Sequence, residues 1–129
     1  MGMVERTGLR DNNFSGWIRQ RLPPSSDGVI VSDIDWIIAN YKTKKLMLIE
    51  HKCRVGEPGQ GQRRIFEMLH ATIIAGLPSA YPDWEYLGFH LLQFPGEGFN
   101  SPNPDTKDSF CYFDREKMTE AQLIERLTF

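Results

Sequence analysis

Asp35 and the tripeptide Glu50-His51-Lys52 are the residues of this chain best equipped for chemistry. Two carboxylates and an ammonium at one spot could hold a hard divalent cation with a fixed positive charge beside it. That is the equipment for metal-assisted phosphodiester hydrolysis, which needs a nucleophilic hydroxide, neutralised charge on the phosphorane oxygens and help for the departing alkoxide. Mg²⁺ prefers one or two carboxylates plus waters to an all-protein cage, so Asp35 and Glu50 suit Mg²⁺ or Mn²⁺. Lys52 would orient the nucleophile or stabilise the transition state.

A hairpin must bring these groups together. Residues 34–39 are apolar and β-branched apart from Asp35, Asn40-Tyr41-Lys42-Thr43-Lys44 is a polar break, and residues 46–53 form a second run that begins with Leu46-Met47-Leu48-Ile49. Alternation puts Asp35, Ile37 and Ala39 on one face of the first strand, and Leu46, Leu48, Glu50 and Lys52 on one face of the second. Folding at residues 41–44 then sets Asp35 beside Glu50, fifteen positions later, near the open end of the hairpin. Asp33 shares the parity of Asp35 and is an auxiliary candidate for the ligand or for a supporting role. The side chain of His51 should point to the opposite face, in a structural role.

The remaining elements follow from caps and breakers. A helix over residues 13–22, capped by Asp11 or Asn12, ends at Pro23-Pro24. Turn residues 25–28 lead into a short apolar strand, Val29-Ile30-Val31. The glycine-rich connection 55–61 lacks the Lys-Ser/Thr of a P-loop and reads as a mobile lip beside the cleft. Ile65, Phe66, Leu69, Ile73 and Ile74 fit a helix over residues 62–75, stopped by Gly76 and Pro78. On that helix His70 is expected to be a satisfied core histidine; His90 carries no recognisable spacing. Residues 84–94 read as a strand, 95–108 as a long loop and 109–114 as a last strand. Thr119 and Gln122 form a capping box for a terminal helix over residues 119–127. The expected order is α-β-β-β-α-β-β-α, a mixed α/β class.

With 129 residues and 40% hydrophobic content, residues 1–129 make a single domain with a real core. No stretch approaches the ~20 apolar residues of a membrane span, and the opening residues 1–6 lack a signal peptide's apolar core, so the expectation is a soluble, intracellular, cytoplasmic protein. Cys53 and Cys111, the two cysteines, are expected to be reduced. The net charge of −2 hides an asymmetry: residues 1–64 hold 11 Lys and Arg against 7 Asp and Glu, and residues 65–129 hold 4 against 10. The basic half carries Asp35, Glu50 and Lys52, so a negative whole can still present a positive working face to a polyanion. Arg19, Arg21, Lys42, Lys44, Lys45, Arg54, Arg63 and Arg64 are the candidates for contacts to its phosphates.

Together these features resemble the PD-(D/E)XK nuclease superfamily over roughly residues 13–76. Ser32-Asp33-Ile34-Asp35-Trp36-Ile37-Ile38 stands as the first acidic motif and Glu50-His51-Lys52 as the second. The resemblance implies a restriction-endonuclease-like core, a mixed sheet flanked by helices. It implies a metal held by Asp35, Glu50 and the main-chain carbonyl of His51. Gln62, four residues before Phe66, looks similar to a glutamine found in the following helix in some branches, and completes a catalytic set of Asp35, Glu50, Lys52 and Gln62. The first helix offers Asn13 where many members place a Glu, and Glu5 lies far upstream; Asn13 is therefore an auxiliary candidate, as a neutral donor or through water. The implied activity is a Mg²⁺-dependent deoxyribonuclease, a structure-selective endonuclease similar to small dimeric Holliday-junction resolvases, with roles in DNA recombination and repair; small phage-encoded and repair nucleases are equally compatible with the resemblance. A two-fold homodimer on branched DNA goes with it. The absent helix Glu motivates an alternative, a noncatalytic DNA-binding module that keeps the fold with an incomplete metal site.

Overall fold

The two runs around residues 40–44 fold back on each other as antiparallel strands, β1 (Trp36–Asn40) and β2 (Lys45–Lys52), in a computed structural model that describes residues 12–54, 56–96, 98–99 and 110–129. Asn40 closes their turn: its side-chain oxygen accepts from the Lys42 and Thr43 amides, and its main-chain carbonyl accepts from Lys44, which takes a positive φ of 58°. Trp36 pairs with Ile49 and Ile37 with Leu48, so the alternation expected for both strands holds.

Helix α2 (Gln60–Ala80) carries the chain from β2 to β3 (Glu85–Gln93), which lies parallel to β2. Strands β4 (Phe110–Phe113) and β5 (Glu116–Thr119) follow antiparallel, giving a five-stranded mixed sheet in the order β1-β2-β3-β4-β5. Helices α1 (Asn12–Arg21) and α3 (Glu120–Leu127) complete the small α/β domain. Thr119 caps α3 as its sequence predicts, accepting from the Gln122 amide at 3.2 Å while its own amide donates to Gln122 Oε1 at 2.8 Å.

One sheet face holds the core, with Met47, Ile49, Leu92, Phe94, Cys111, Phe113 and Met118 packed with Leu123 of α3. The other face carries Leu48 and Glu50 and is covered by α2, where Phe66 meets Phe89 with ring centroids 4.6 Å apart. A bulge in β3 serves that contact. The register steps from Leu46↔Tyr86 to Leu48↔Phe89, so three residues of β3 advance against two of β2. Gly88 supplies the necessary φ of +101°. Tyr86 and Phe89, of opposite parity, thereby both reach α2, where Tyr86 bonds His70 Nδ1 at 2.8 Å. His70 is thus a satisfied histidine, as expected.

Three sequence-based expectations need correction. Val29-Ile30-Val31 joins no strand, because Ile30 lies over the start of α2: a Cβ at Gly61 would come within 3.1 Å of its Cδ1. The strand count is kept by β5, which residues 116–119 form after a turn in which Asp114 and Arg115 take positive φ values of 50° and 70°. The observed order is therefore α-β-β-α-β-β-β-α. Helix α2 also runs past Gly76 and contains Pro78; the Tyr81 amide closes its end on Leu77. Asp11, Glu5 and most of the expected loop 95–108 lie outside the described residues. Cys53 and Cys111 are free thiols. Among the described residues, no helix is long and apolar enough to cross a membrane.

Candidate active site

Asp35 immediately precedes β1, and extending the Trp36↔Ile49 register by one position sets it opposite Glu50. Its Oδ2 accepts the His51 main-chain N–H at 2.9 Å, which fixes the carboxylate against β2. Glu50 stands on β2, an interior strand under α2, and is 3% exposed. The next residue on its face, Lys52, places Nζ 3.3 Å from Glu50 Oε1 and 3.4 Å from Gln62 Oε1. Gln62 sits in the first turn of α2, where its Oε1 also accepts from the Gly59 amide at 3.4 Å and its Nε2 donates to Ser32 Oγ at 3.3 Å. Asp35, Glu50, Lys52 and Gln62, distant in sequence, thus converge where the chain passes from β2 into α2.

Burial pushes the Glu50 carboxyl up to about 7, with the neighbouring charge of Asp35 adding to the rise and Lys52 opposing it. Glu50 Oε2 is buried without a hydrogen-bond partner. A buried polar atom of this kind calls for an explanation, and a cation is the partner that also relieves the repulsion from Asp35. The donor chemistry, two carboxylates that leave the other positions to main-chain oxygen and water, fits Mg²⁺ or Mn²⁺. Among the described residues no group of three or more His, Cys, Asp or Glu side chains is placed to share a metal, so the side-chain contribution stops at two carboxylates.

His51 faces away from Glu50, toward Trp36. The indole N–H donates to His51 Nδ1 at 3.1 Å. Indole is only a donor, so Nδ1 is the acceptor in this bond. The ring's Nδ1 lies 3.4 Å from Asp35 Oδ2, and the Asp35 contact is made by the backbone amide.

The auxiliary and DNA-contact candidates scatter more widely. Asp33 is exposed on the approach to β1. Asn13 lies in α1, and its side chain is outside the described part of the structure. Arg19 and Arg21 are exposed on α1, and Arg54 and Arg64 are exposed near the entry to α2. Lys42 and Lys44 occupy the β1–β2 turn, and Lys45 opens β2 with Nζ 3.7 Å from Glu85. Five residues of strand separate Lys45 from Glu50, or about 17 Å at ~3.3 Å per residue. Antiparallel folding thus sets Lys42, Lys44 and Lys45 at the opposite end of the hairpin from Glu50. Arg63 is close to the site but engaged, donating to Glu57 at 3.0 Å.

Four residues beside the site carried no sequence signal. Arg115 grips Glu57 with both guanidinium nitrogens, at 2.6 and 2.9 Å, across 58 positions. The hydrogen bonds from Arg115 hold the Glu57 carboxyl well below the usual carboxylate range. His90 bonds Asp114 through Nδ1 and the Leu87 carbonyl through Nε2, and the Asp114 bond raises its pKa. With both ring nitrogens committed, His90 braces the β4–β5 turn.

No family model matches the chain, and no solved structure matches it. It is similar to an uncharacterized protein of Archaeoglobus fulgidus, 28% identical over 91 residues that make up 70% of this chain and 60% of that protein. It is also similar to a Xaa-Pro dipeptidase of Shewanella sp. strain MR-4, 31% identical over 97 residues, 68% of this chain and 22% of that protein. The chain thus spans less than two thirds of the length of either curated relative.

Proposed function

We propose that this chain is a metal-dependent nuclease that hydrolyses phosphodiester bonds of DNA, on a restriction-endonuclease-like plan. The observation that supports it best is the buried, unpartnered Glu50 Oε2 beside Asp35, with Lys52 and Gln62 on the same spot. Asp35, Glu50 and the main-chain carbonyl of His51 would hold Mg²⁺ or Mn²⁺. When bound, that ion supplies Lewis acidity for an activated water and for charge on the phosphate oxygens. The protein's own groups do the rest. Lys52, restrained between Glu50 and Gln62, presents an ammonium to the negative charge that builds up as the phosphate is attacked. Gln62, tethered to Ser32 and Gly59, keeps that ammonium from swinging away. Burial of Glu50 under α2 keeps bulk water from screening these charges.

The donor count favours a second reading, in which the domain binds DNA with an incomplete metal site and performs no hydrolysis. Two carboxylates, without a third from α1, are what such a module would retain. Incubating the purified protein with branched, linear and single-stranded DNA in Mg²⁺, Mn²⁺ or EDTA separates the two. Metal-dependent cleavage lost in Glu50→Ala and Lys52→Ala is the expected result; metal-independent binding with no cleavage establishes the second reading. Light scattering with and without branched DNA tests the associated proposal of a homodimer.

A further inference from the structure

Arg63 and Arg115 converge on one carboxylate from different elements of the fold. Arg63 follows Gln62 in the first turn of α2, and Arg115 stands in the β4–β5 turn with a φ of 70°. Both donate to Glu57, Arg115 through two parallel bonds. A forked guanidinium pair recognises a carboxylate and a phosphate by the same geometry, two oxygens in a plane facing two N–H groups. All three side chains are substantially exposed, at 51%, 62% and 41% for Arg63, Arg115 and Glu57, so solvent and a ligand reach the cluster. A cleft of about 250 Å³ is lined by both Arg63 and Glu50. One arginine of the cluster thus shares a cleft with a carboxylate of the candidate metal site.

We propose that Arg63 and Arg115 form a binding site for a backbone phosphate of DNA beside the candidate metal site, and that Glu57 occupies this site in the free protein. The inference rests on DNA being the ligand, as in both readings of the proposed function. Glu57 acts as an internal anion: it keeps two like charges close together before DNA arrives and gives way to a phosphodiester that carries the same charge. Its release leaves the loop anchored, because the buried Gln93 also donates to the Gly56 carbonyl at 2.9 Å, independently of its 3.3 Å contact to Glu57. Gln93 thereby separates the two roles of the loop, attachment at Gly56 and anion mimicry at Glu57. Arg115 belongs to the acidic half of the chain, and its part in binding a polyanion is visible only once the fold sets it against Arg63.

Fluorescence anisotropy with a labelled oligodeoxynucleotide in EDTA reads binding apart from cleavage. Arg63→Ala and Arg115→Ala should each weaken binding about fivefold or more and make the log–log salt slope shallower by about 0.9 for each phosphate no longer neutralised. Arg115→Lys, which keeps the charge and loses the fork, should fall between wild type and Arg115→Ala. Glu57→Gln and Glu57→Ala should bind about threefold or more tighter than wild type, with thermal melts showing that each variant is folded. Glu57 variants that bind no tighter, or arginine variants that bind as wild type, overturn the proposal, as does an absence of DNA binding throughout. Cleavage in Mg²⁺ is scored separately. Tighter Glu57 variants with no cleavage leave the inference standing and remove the nuclease reading; cleavage with unchanged binding across the series does the reverse.

Discussion

A carboxyl group buried like that of Glu50, with one oxygen unpaired and Asp35 alongside, is held in its neutral form well above the ordinary range. The linkage has a definite sign. Its folded value of about 7 lies above the ordinary 4.5, so the stability it contributes is full below pH 4.5 and is lost as pH rises through 7. Glu50→Gln should therefore raise the unfolding free energy at pH 8 by about 1–3 kcal/mol and flatten its pH dependence between those limits, measured by urea unfolding across pH. Millimolar MgCl₂ should stabilise wild type at pH 8 and leave Glu50→Gln unmoved, since only a ligand that binds the folded state shifts the balance. Lys52→Met should fold normally and lower single-turnover cleavage about 100-fold or more. Residues on one strand face were legible in the sequence, because Glu50 and Lys52 need only alternation. The grip of Arg115 on Glu57 was not, because nothing local links residues 58 positions apart.

The elements differ in how directly short-range rules place them. Thr119→Ala should cost about 1 kcal/mol in thermal unfolding, since the hydroxyl caps the Gln122 amide. That helix and the β1–β2 hairpin were readable because a cap and a polar break are local signals. Strand β5 was hidden: its four residues carry one buried side chain, Met118, and follow a turn without glycine. Residues 29–31 misled for the opposite reason, since an apolar triplet can cover a helix as well as pair with a strand. The β3 bulge was likewise invisible except as Gly88. Gly88→Ala should cost about 1–3 kcal/mol by urea unfolding, as an alanine there meets both an unfavourable φ and the His90 ring.

Across the whole molecule, the hairpin distributes charge along its length: Lys42 and Lys44 lie at the turn and the carboxylates at the open end. Lys42→Ala with Lys44→Ala should leave the maximal cleavage rate unchanged and lower DNA affinity modestly at low salt, as distant phosphate contacts do. The sheet also has two unequal regions. Strands β2 and β3 are paired on both sides, whereas among the described residues β1 pairs with β2 alone in the sheet and presents Trp36 and Ile37 to solvent on its two faces. The candidate site straddles that boundary, with Glu50 on an interior strand and Asp35 at the beginning of the edge strand. Fraying of the end of β1 would carry one carboxylate away and leave the other in place, so the site would come apart without global unfolding. Native-state hydrogen exchange should show the His51 amide, bonded to Asp35, exchanging faster than the β2–β3 ladder amides and slowing when Mg²⁺ is added. Breathing of a single strand end would then limit how much of the time the protein is competent to act.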